Sequence, residues 1–178
     1  MTHDGLAAYS MIYFPGKSKE NLGRDIGLCD IELEKVAHLQ AIVVHPAYRG
    51  NSLQKRMTYH HLKIIWERGY KHVCCTVSPN NPISLKNIMS CGFMIRGLKH
   101  KFGGYMRYIM YKNFDHFFRG KPEKKIDLMG NDIIGQINLL NLGYQGFEME
   151  LTPNGYKVLY ERVSSEINLS KQVIIKNI

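Results

Sequence analysis

The sequence predicts a mixed α/β fold, in which helices flank a central sheet, and three observations support this prediction. Short apolar runs rich in β-branched residues recur between glycine and proline residues, which is typical of strands. Apolar residues at helical spacing follow two of these runs directly. The chain has 178 residues, of which 44% are hydrophobic, and this is enough for a sizeable core.

The first half of the chain predicts three strands and two helices. In order, they are strands over residues 6–14 and 34–44, a helix over 53–68, a strand beginning at His72 and a helix after Asn81. A polar loop with several glycines separates the first two strands. The start and end of the last helix are marked, because Asn81 is a typical N-cap, Pro82 suits the first helical position and Gly92 can end the helix.

The second half predicts a hairpin, a helix and a further hairpin. The elements are strands over residues 93–100 and 105–113, a helix over 131–142 and a hairpin over 144–163. Asn154-Gly155 is a strong hairpin-turn signal, and residues 114–125 form a polar connector. We therefore expect a first domain over residues 1–113 and a C-terminal extension over 114–178, whose last residues, 164–178, form a loosely held tail. The extension is too small for its own core, so it should pack on the first domain or on a second subunit.

The charge of the chain indicates an anionic partner. Its formal net charge is +9 and its pI is about 9.4, and such a surface attracts phosphates or nucleic acid. Lysine and arginine are scattered, however, without the basic and aromatic pattern of an RNA-binding sheet. Nucleic-acid binding is therefore the least favoured function for this chain.

The remaining composition favours a cytoplasmic protein without a metal site or a membrane-spanning helix. The four cysteines show neither CxxC spacing nor a secreted-domain framework, so we expect reduced thiols in the core. No apolar run approaches the roughly 20 residues of a membrane-spanning helix, and no signal peptide follows Met1. His60-His61 lacks the spacing of a zinc-binding helix, so no metal is expected.

The stretch from Val43 to Met57 predicts a phosphate-binding site. It consists of the end of a buried strand, a basic turn that contains Gly50, and the first turns of a helix. A turn that enters a helix directs unpaired backbone N–H groups and the positive end of the helix dipole at whatever lies in front of it. Arg49, Lys55 and Arg56 add positive charge there.

The same stretch resembles the acyl-CoA pyrophosphate loop of the GNAT superfamily of N-acyltransferases, whose motif is Gln/Arg-x-x-Gly-x-Gly/Ala. Arg49 stands at the first motif position, whereas Ser52 and Gln54 replace the two glycines. A second family motif, Asn-x-x-Ala/Ser followed by seven residues and Gly-Phe, is matched by the residues Asn81, Ser84, Gly92 and Phe93. The resemblance covers about residues 6–113.

The resemblance implies a mostly antiparallel, mixed sheet with flanking helices that lacks the family's usual N-terminal strand and helices. It implies transfer of an acetyl group from acetyl-CoA to a primary amine, by direct attack in a ternary complex. Acetyl-CoA or CoA is then a co-substrate and the acceptor is a small-molecule or peptide amine. The residues that would bind the cofactor are Ile42, Val43, Val44, Arg49, Gly50, Asn51, Ser52, Leu53, Gln54, Asn81 and Ser84.

Proton transfer is less well defined by the sequence. Ile88 stands where many family members have a tyrosine that protonates the leaving thiolate. A water molecule, or a tyrosine at 105, 108 or 111, would then have to replace it. His38 is a candidate general base, since it is expected on the same strand face as Gln40 and Ile42. Loss of the acid leaves a non-catalytic CoA-binding module as the alternative function, and an open strand edge favours a homodimer.

Overall fold

The computed structural model of the chain describes residues 5–115 and 125–162. Most of the predicted connector and the whole predicted tail over residues 164–178 lie outside these residues. The described elements are β1 (Ala8–Tyr13), α1 (Asp30–Leu33), β2 (Val36–Val44), α2 (Leu53–Glu67), β3 (His72–Val77), α3 (Pro82–Ser90), β4 (Met94–Lys101), β5 (Tyr105–Asn113), β6 (Lys125–Met129), α4 (Ile133–Asn141), β7 (Tyr144–Thr152) and β8 (Gly155–Arg162).

The eight described strands form one sheet in the order β1-β2-β3-β5-β4-β7-β8-β6. Among them, only β2 and β3 run parallel, and every other neighbouring pair is antiparallel. This confirms the predicted mixed, mostly antiparallel sheet. The C-terminal hairpin packs on the first part of the chain, which is one of the two expected arrangements, because β7 lies beside β4 and continues the same sheet. The division into two domains stays a prediction.

The parallel pair diverges. Residues 36–38 of β2 pair with residues 72–74 of β3, yet β2 continues to Val44 and β3 to Val77. On its other edge β2 has a bulge, where Met11 pairs with Ala41 but Ile12 pairs with Leu39, so Gln40 is the extra residue. A bulge bends and twists a strand, so β2 turns away from β3 and a cleft opens between them.

Two groups of buried side chains cover the two faces of the sheet. The larger group includes Leu39 and contains residues of α2 and α3, whereas the smaller one includes Val36 and lies under the loop around Leu22. Ile42 packs with the larger group, while the ring of His38 contacts Leu22. The expectation that His38 shares a face with Ile42 is therefore wrong, because the bulge reverses the alternation of side chains along β2.

Three local features differ from the sequence-based expectation. The predicted polar loop contains α1, a single turn whose first residues are held by a hydrogen bond from Cys29 N–H to Glu32 Oε2. Strand β6 was not predicted, and it is an edge strand of five residues with alternating burial that pairs with β8. Cys29 is exposed because it caps this surface turn, whereas the other three cysteines are buried as expected.

Candidate active site

The strand cleft, as we call the space between the diverging β2 and β3, has a volume of about 290 Å³. Its walls are formed by residues 39–43 of β2, residues 75–77 of β3, and the side chains of Gln54, Ser84 and Ile88. Beyond His38 the register between β2 and β3 ends. The facing backbone N–H and C=O groups of the two strands are thus available to an extended, amide-containing ligand.

The first turn of α2 lies at one end of the strand cleft. The first main-chain hydrogen bond of this helix runs from Arg56 N–H to Ser52 C=O at 3.0 Å. The side chain of Ser52 makes no capping hydrogen bond. Across residues 5–115 and 125–162, no acceptor is found for the N–H groups of Leu53, Gln54 and Lys55, which point outward from the helix start. Groups of this kind are suited to an anion, and we refer to this helix start as the anion site.

The backbone explains how the chain accommodates serine at a motif glycine. Ser52 has φ 55° and ψ 21°, in the left-handed region that favours glycine, and Gly50 has φ 82°. Holding a serine there costs about 1–2 kcal/mol. The loop therefore keeps the course that a glycine would give it, and its N–H groups keep their direction despite the substitution.

Gln54, which replaces the second motif glycine, connects α2 to α3. Its side-chain Nε2 donates to Ser84 Oγ at 2.9 Å, and its Oε1 accepts a hydrogen bond from Asn87 Nδ2 at 2.8 Å. The long side chain therefore points away from the anion site and fixes the distance between the two helices. This substitution leaves the backbone N–H of Gln54 exposed to a ligand.

Three cations, Arg49, Lys55 and Arg56, belong to the loop and the first turns that form the anion site. In the described part of the chain, Arg49, Lys55 and Arg56 take part in no ion pair. Positive side chains at a helix N-terminus are unfavourable for the helix dipole. Cations without ion pairs in this position destabilise the start of an unliganded helix. The same cations would stabilise a phosphate bound there.

The first turn of α3 has the cap that the sequence predicts. Asn81 Oδ1 accepts a hydrogen bond from Ser84 N–H at 3.0 Å, and Pro82 occupies the first helical position. The carboxamide Nδ2 of Asn81 makes no hydrogen bond to any described residue, so a donor is left over on this side chain. That Asn81 and Ser84 bind a cofactor stays a prediction.

His38 is buried on the far face of the sheet, with an exposed fraction of 6%. Its Nε2 accepts a hydrogen bond from Leu22 N–H at 3.1 Å, and Tyr13 packs edge-on against its ring. Burial lowers the pKa of His38 to about 4, with a further decrease from the Lys101 ammonium. The catalytic role of His38 stays a prediction, and this geometry favours a structural one.

The three tyrosines that could substitute for the general acid do not line the strand cleft. Tyr105 is exposed on the surface. Tyr108 OH donates to Gln136 Oε1 at 2.7 Å, and burial raises its pKa. Tyr111 OH lies 2.9 Å from His72 Nδ1, and burial raises its pKa to about 12. Among the described residues that line the cleft, only Cys75 is titratable, and burial raises the pKa of its thiol.

Residues 5–93, which make up half of the chain, match the family model described as the acetyltransferase (GNAT) family. This chain belongs to the GNAT acetyltransferase family. The resemblance seen in the sequence is thereby confirmed. A search of curated proteins found none that matches.

Solved structures of an aminoglycoside acetyltransferase show the same fold. AAC(6')-Ib in complex with coenzyme A and kanamycin is 14% identical with a TM-score of 0.52, over 65% of this chain and 64% of that one. The same enzyme in complex with ribostamycin and coenzyme A is also 14% identical, with a TM-score of 0.53, over 70% of this chain and 66% of that one. The chain thus spans slightly less than two thirds of the length of this enzyme. A GNAT-family acetyltransferase from Listeria monocytogenes 4b F2365 is 24% identical, with a lower TM-score of 0.44, over 64% of this chain and 61% of that one.

Several cleft residues were not predicted from the sequence. Gln40 and Ala41 of β2 and Thr76 of β3 line the strand cleft, and Asn87 holds Gln54 in place. The bulge at Gln40 has no signature in the sequence, because any residue can occupy it. None of the four helices in the described residues is long and apolar enough to span a membrane.

Proposed function

We propose that this GNAT acetyltransferase transfers an acetyl group from acetyl-CoA to a primary amine by direct attack in a ternary complex. The observation that carries the proposal is the strand cleft with the open N-terminus of α2 at its end. A groove of unpaired strand backbone that leads to an anion site suits an extended amide chain that ends in phosphates.

The residues of the chain fit such a co-substrate. Arg49 and the N–H groups of residues 53–55 would bind the phosphates, with Gly50, Asn51 and Ser52 shaping the loop. The backbone of Ile42, Val43 and Val44 would hold the pantetheine amides and orient the thioester. Asn81 and Ser84 would donate from the opposite wall. When bound, acetyl-CoA supplies the activated acyl group.

Proton transfer in the cleft does not depend on a protein side chain in this proposal. The only titratable residue among the described ones that line it is Cys75, which stays a thiol. The amine must then arrive uncharged, and a thiolate leaves without an acid more readily than an amine does. We expect kcat/KM to rise about tenfold per pH unit up to the pKa of the acceptor amine. A plateau well below that pKa would reveal a protein base that this proposal lacks.

The acceptor in the proposal is a small-molecule or peptide amine with little positive charge beyond the reacting group. The related AAC(6')-Ib structures contain kanamycin or ribostamycin, and aminoglycosides are polycations. The present chain has a net charge of +9, and none of its described carboxylates lines the cleft. The overall positive charge of the chain therefore disfavours an acceptor with several further cations.

The decisive experiment has two stages. Thermal shift is first measured with acetyl-CoA and with a CoA derivative without its phosphates; at about 100 times Kd, binding stabilises the fold by roughly 2.7 kcal/mol. Release of free thiol is then measured with a panel of mono-amines, peptides and polyamines. Phosphate-dependent binding followed by amine-dependent thiol release supports the proposal, and absence of binding contradicts it.

The second candidate is a CoA-binding module without catalysis. One observation favours it, since Ile88 lines the cleft where the family has its acid. Tight, phosphate-dependent binding without thiol release for any amine in the panel would establish this function instead.

We also propose a homodimer formed through β1, in the cytoplasm, where acetyl-CoA is available and buried thiols stay reduced. Among the described strands, β1 lies at one edge of the sheet. Its outward residues Tyr9, Met11 and Tyr13 are 47%, 36% and 37% exposed, next to Val43 at 61%. An exposed apolar strand edge recruits a partner strand. Sedimentation at high concentration should show a dimer, and a monomer would refute this part of the proposal.

A further inference from the structure

A buried set of polar side chains joins the C-terminal extension to the first part of the chain. This Gln136 network consists of Tyr108, Gln136, Tyr156 and Tyr160. Gln136 is fully buried, and its Oε1 accepts hydrogen bonds from Tyr108 OH and Tyr160 OH, both at 2.7 Å. Its Nε2 donates to Gly130 C=O at 3.1 Å. A buried network with all its members paired holds side chains in one arrangement.

One member of the Gln136 network contacts the turn that precedes α3. Tyr156 OH donates to Pro79 C=O at 2.9 Å and lies 3.0 Å from Tyr108 OH. Its ring leaves no space for a side chain at Gly130, where a Cβ atom would overlap it. Gly130 N–H also donates to Tyr156 C=O at 2.7 Å. The hydroxyl of Tyr156 is therefore fixed in position relative to β6 and α4.

The contact at Pro79 continues through hydrogen bonds to the side chain of Gln54 in the first turn of α2. Pro79 belongs to a turn over residues 78–81 that is closed by Asn81 N–H donating to Ser78 C=O at 2.9 Å. The same asparagine caps Ser84 N–H, and Ser84 Oγ accepts from Gln54 Nε2 in the first turn of α2. The chain of contacts thus runs from the C-terminal hairpin to both walls of the strand cleft.

We propose that Tyr156 is a positioning residue for the acyl-CoA site. It holds the turn before α3 so that Asn81 and Ser84 face the first turn of α2, and the C-terminal extension thereby sets the affinity for acyl-CoA. Tyr156 does not line the strand cleft, so it acts through Pro79 alone. This inference rests on the proposed function.

The test compares Tyr156→Phe with Tyr160→Phe. Both variants remove one buried hydroxyl of the Gln136 network, but within the described residues Tyr160 OH bonds only to Gln136. Loss of one hydrogen bond in Tyr156→Phe should raise Kd and KM for acetyl-CoA about three- to tenfold, with kcat within about twofold of wild type. Tyr160→Phe should lower Tm while leaving Kd and KM unchanged. Equal changes of Kd in the two variants would overturn the proposal.

A second readout separates this inference from the proposed function. The amide hydrogens of Ser84 and Leu85 bond to Asn81, so their exchange with solvent should accelerate in unliganded Tyr156→Phe and not in Tyr160→Phe. This measurement needs no acetyl-CoA. If wild type binds no acetyl-CoA, the proposed function fails, while unchanged exchange in Tyr156→Phe is what would overturn the positioning role.

A further substitution covers the case that Tyr156→Phe does not fold. Incorporation of 3-fluorotyrosine at position 156 keeps the ring and gives a more acidic hydroxyl, which donates a stronger hydrogen bond to Pro79 C=O. Exchange at Ser84 should then slow and Kd should fall. The same replacement at position 160 is the control, and identical behaviour of the two proteins would refute the proposal.

Discussion

The two helices that border the strand cleft begin in opposite ways. α2 starts after a left-handed Ser52 without a side-chain cap, and Lys55 and Arg56 stand in its first turns. α3 starts after Asn81, whose side chain caps it, and Pro82 replaces one N–H donor outright. The uncapped start of α2 has the features of a ligand site, whereas the capped start of α3 has those of a stable scaffold. The difference supports the proposal that the phosphates bind at α2 rather than at α3.

The open end of α2 reduces the stability of the unliganded protein. A serine in the left-handed region costs about 1–2 kcal/mol, and each cation beside the positive end of a helix dipole costs about 0.3–1 kcal/mol. A bound phosphate would attract these cations, so that they would stabilise the liganded protein. Substitutions at the start of α2 should therefore weaken acetyl-CoA binding without lowering the stability of the unliganded protein. Substitutions at the start of α3 should mainly lower its stability.

The largest effect is expected from reversing the charges at α2. The double variant Lys55→Glu/Arg56→Glu should weaken acetyl-CoA binding about 100-fold, because two attractive pairs become repulsive. The Tm of the unliganded protein should rise or stay unchanged, since carboxylates favour a helix N-terminus. Calorimetric titration and thermal unfolding measure the two effects.

The exposed Lys86 of α3 provides the control for this variant. Lys86→Glu changes a charge on the helix with the closed end and should alter Kd less than about threefold. A comparable loss of affinity in Lys86→Glu would mean that only the overall charge of the protein matters.

Arg49→Ala should weaken acetyl-CoA binding about tenfold without a change in Tm, because this exposed side chain has no ion pair to lose in the described residues. The CoA derivative without phosphates should bind wild type and Arg49→Ala with the same Kd. If Arg49→Ala weakens both ligands equally, the guanidinium does not contact the phosphates.

Two variants of Asn81 separate its cap from its proposed contact with the cofactor. Asn81→Ala should lower the free energy of unfolding by about 1 kcal/mol, because the bond to Ser84 N–H is lost. Asn81→Asp keeps this cap but removes the Nδ2 donor and adds a negative charge. It should retain stability in urea unfolding and bind acetyl-CoA about tenfold more weakly. Unchanged affinity in Asn81→Asp would leave Asn81 as a cap only.

The smallest effect is expected at the backbone of the loop. Ser52→Gly relieves the left-handed strain but adds freedom to the unfolded chain, so the net gain in free energy of unfolding should be about 0.5 kcal/mol. Acetyl-CoA affinity should be retained. The matched change Gly50→Ala, at φ 82°, should destabilise by about 1 kcal/mol. A loss of stability in Ser52→Gly would show that the serine hydroxyl has a role of its own.

The parts of the fold that follow from local patterns could be predicted from the sequence. The spacing of apolar residues indicated α2, α3 and α4, and Asn154-Gly155 indicated the turn between β7 and β8. The divergence of β2 from β3 could not be predicted, since it depends on the bulge at Gln40. The same bulge is the reason why the expectation that His38 shares a face with Ile42 was wrong. The serine at residue 52 does not itself indicate a left-handed backbone, and only the family motif, which has glycine there, points to it.

The hydroxyl groups between α4 and the turn before α3 have fewer hydrogens than contacts. Tyr108 and Tyr156 carry one hydroxyl hydrogen each, yet they share three short contacts, to Gln136 Oε1, to Pro79 C=O and to each other. When Tyr108 donates to Gln136 Oε1 and Tyr156 donates to Pro79 C=O, the contact between the two phenols has no hydrogen. Gln136 Oε1 also accepts from Tyr160 OH, so Tyr108 can instead turn its hydrogen toward Tyr156 while Tyr156 keeps its own on Pro79. Only an arrangement in which Tyr156 donates to Tyr108 leaves Pro79 C=O without a hydrogen.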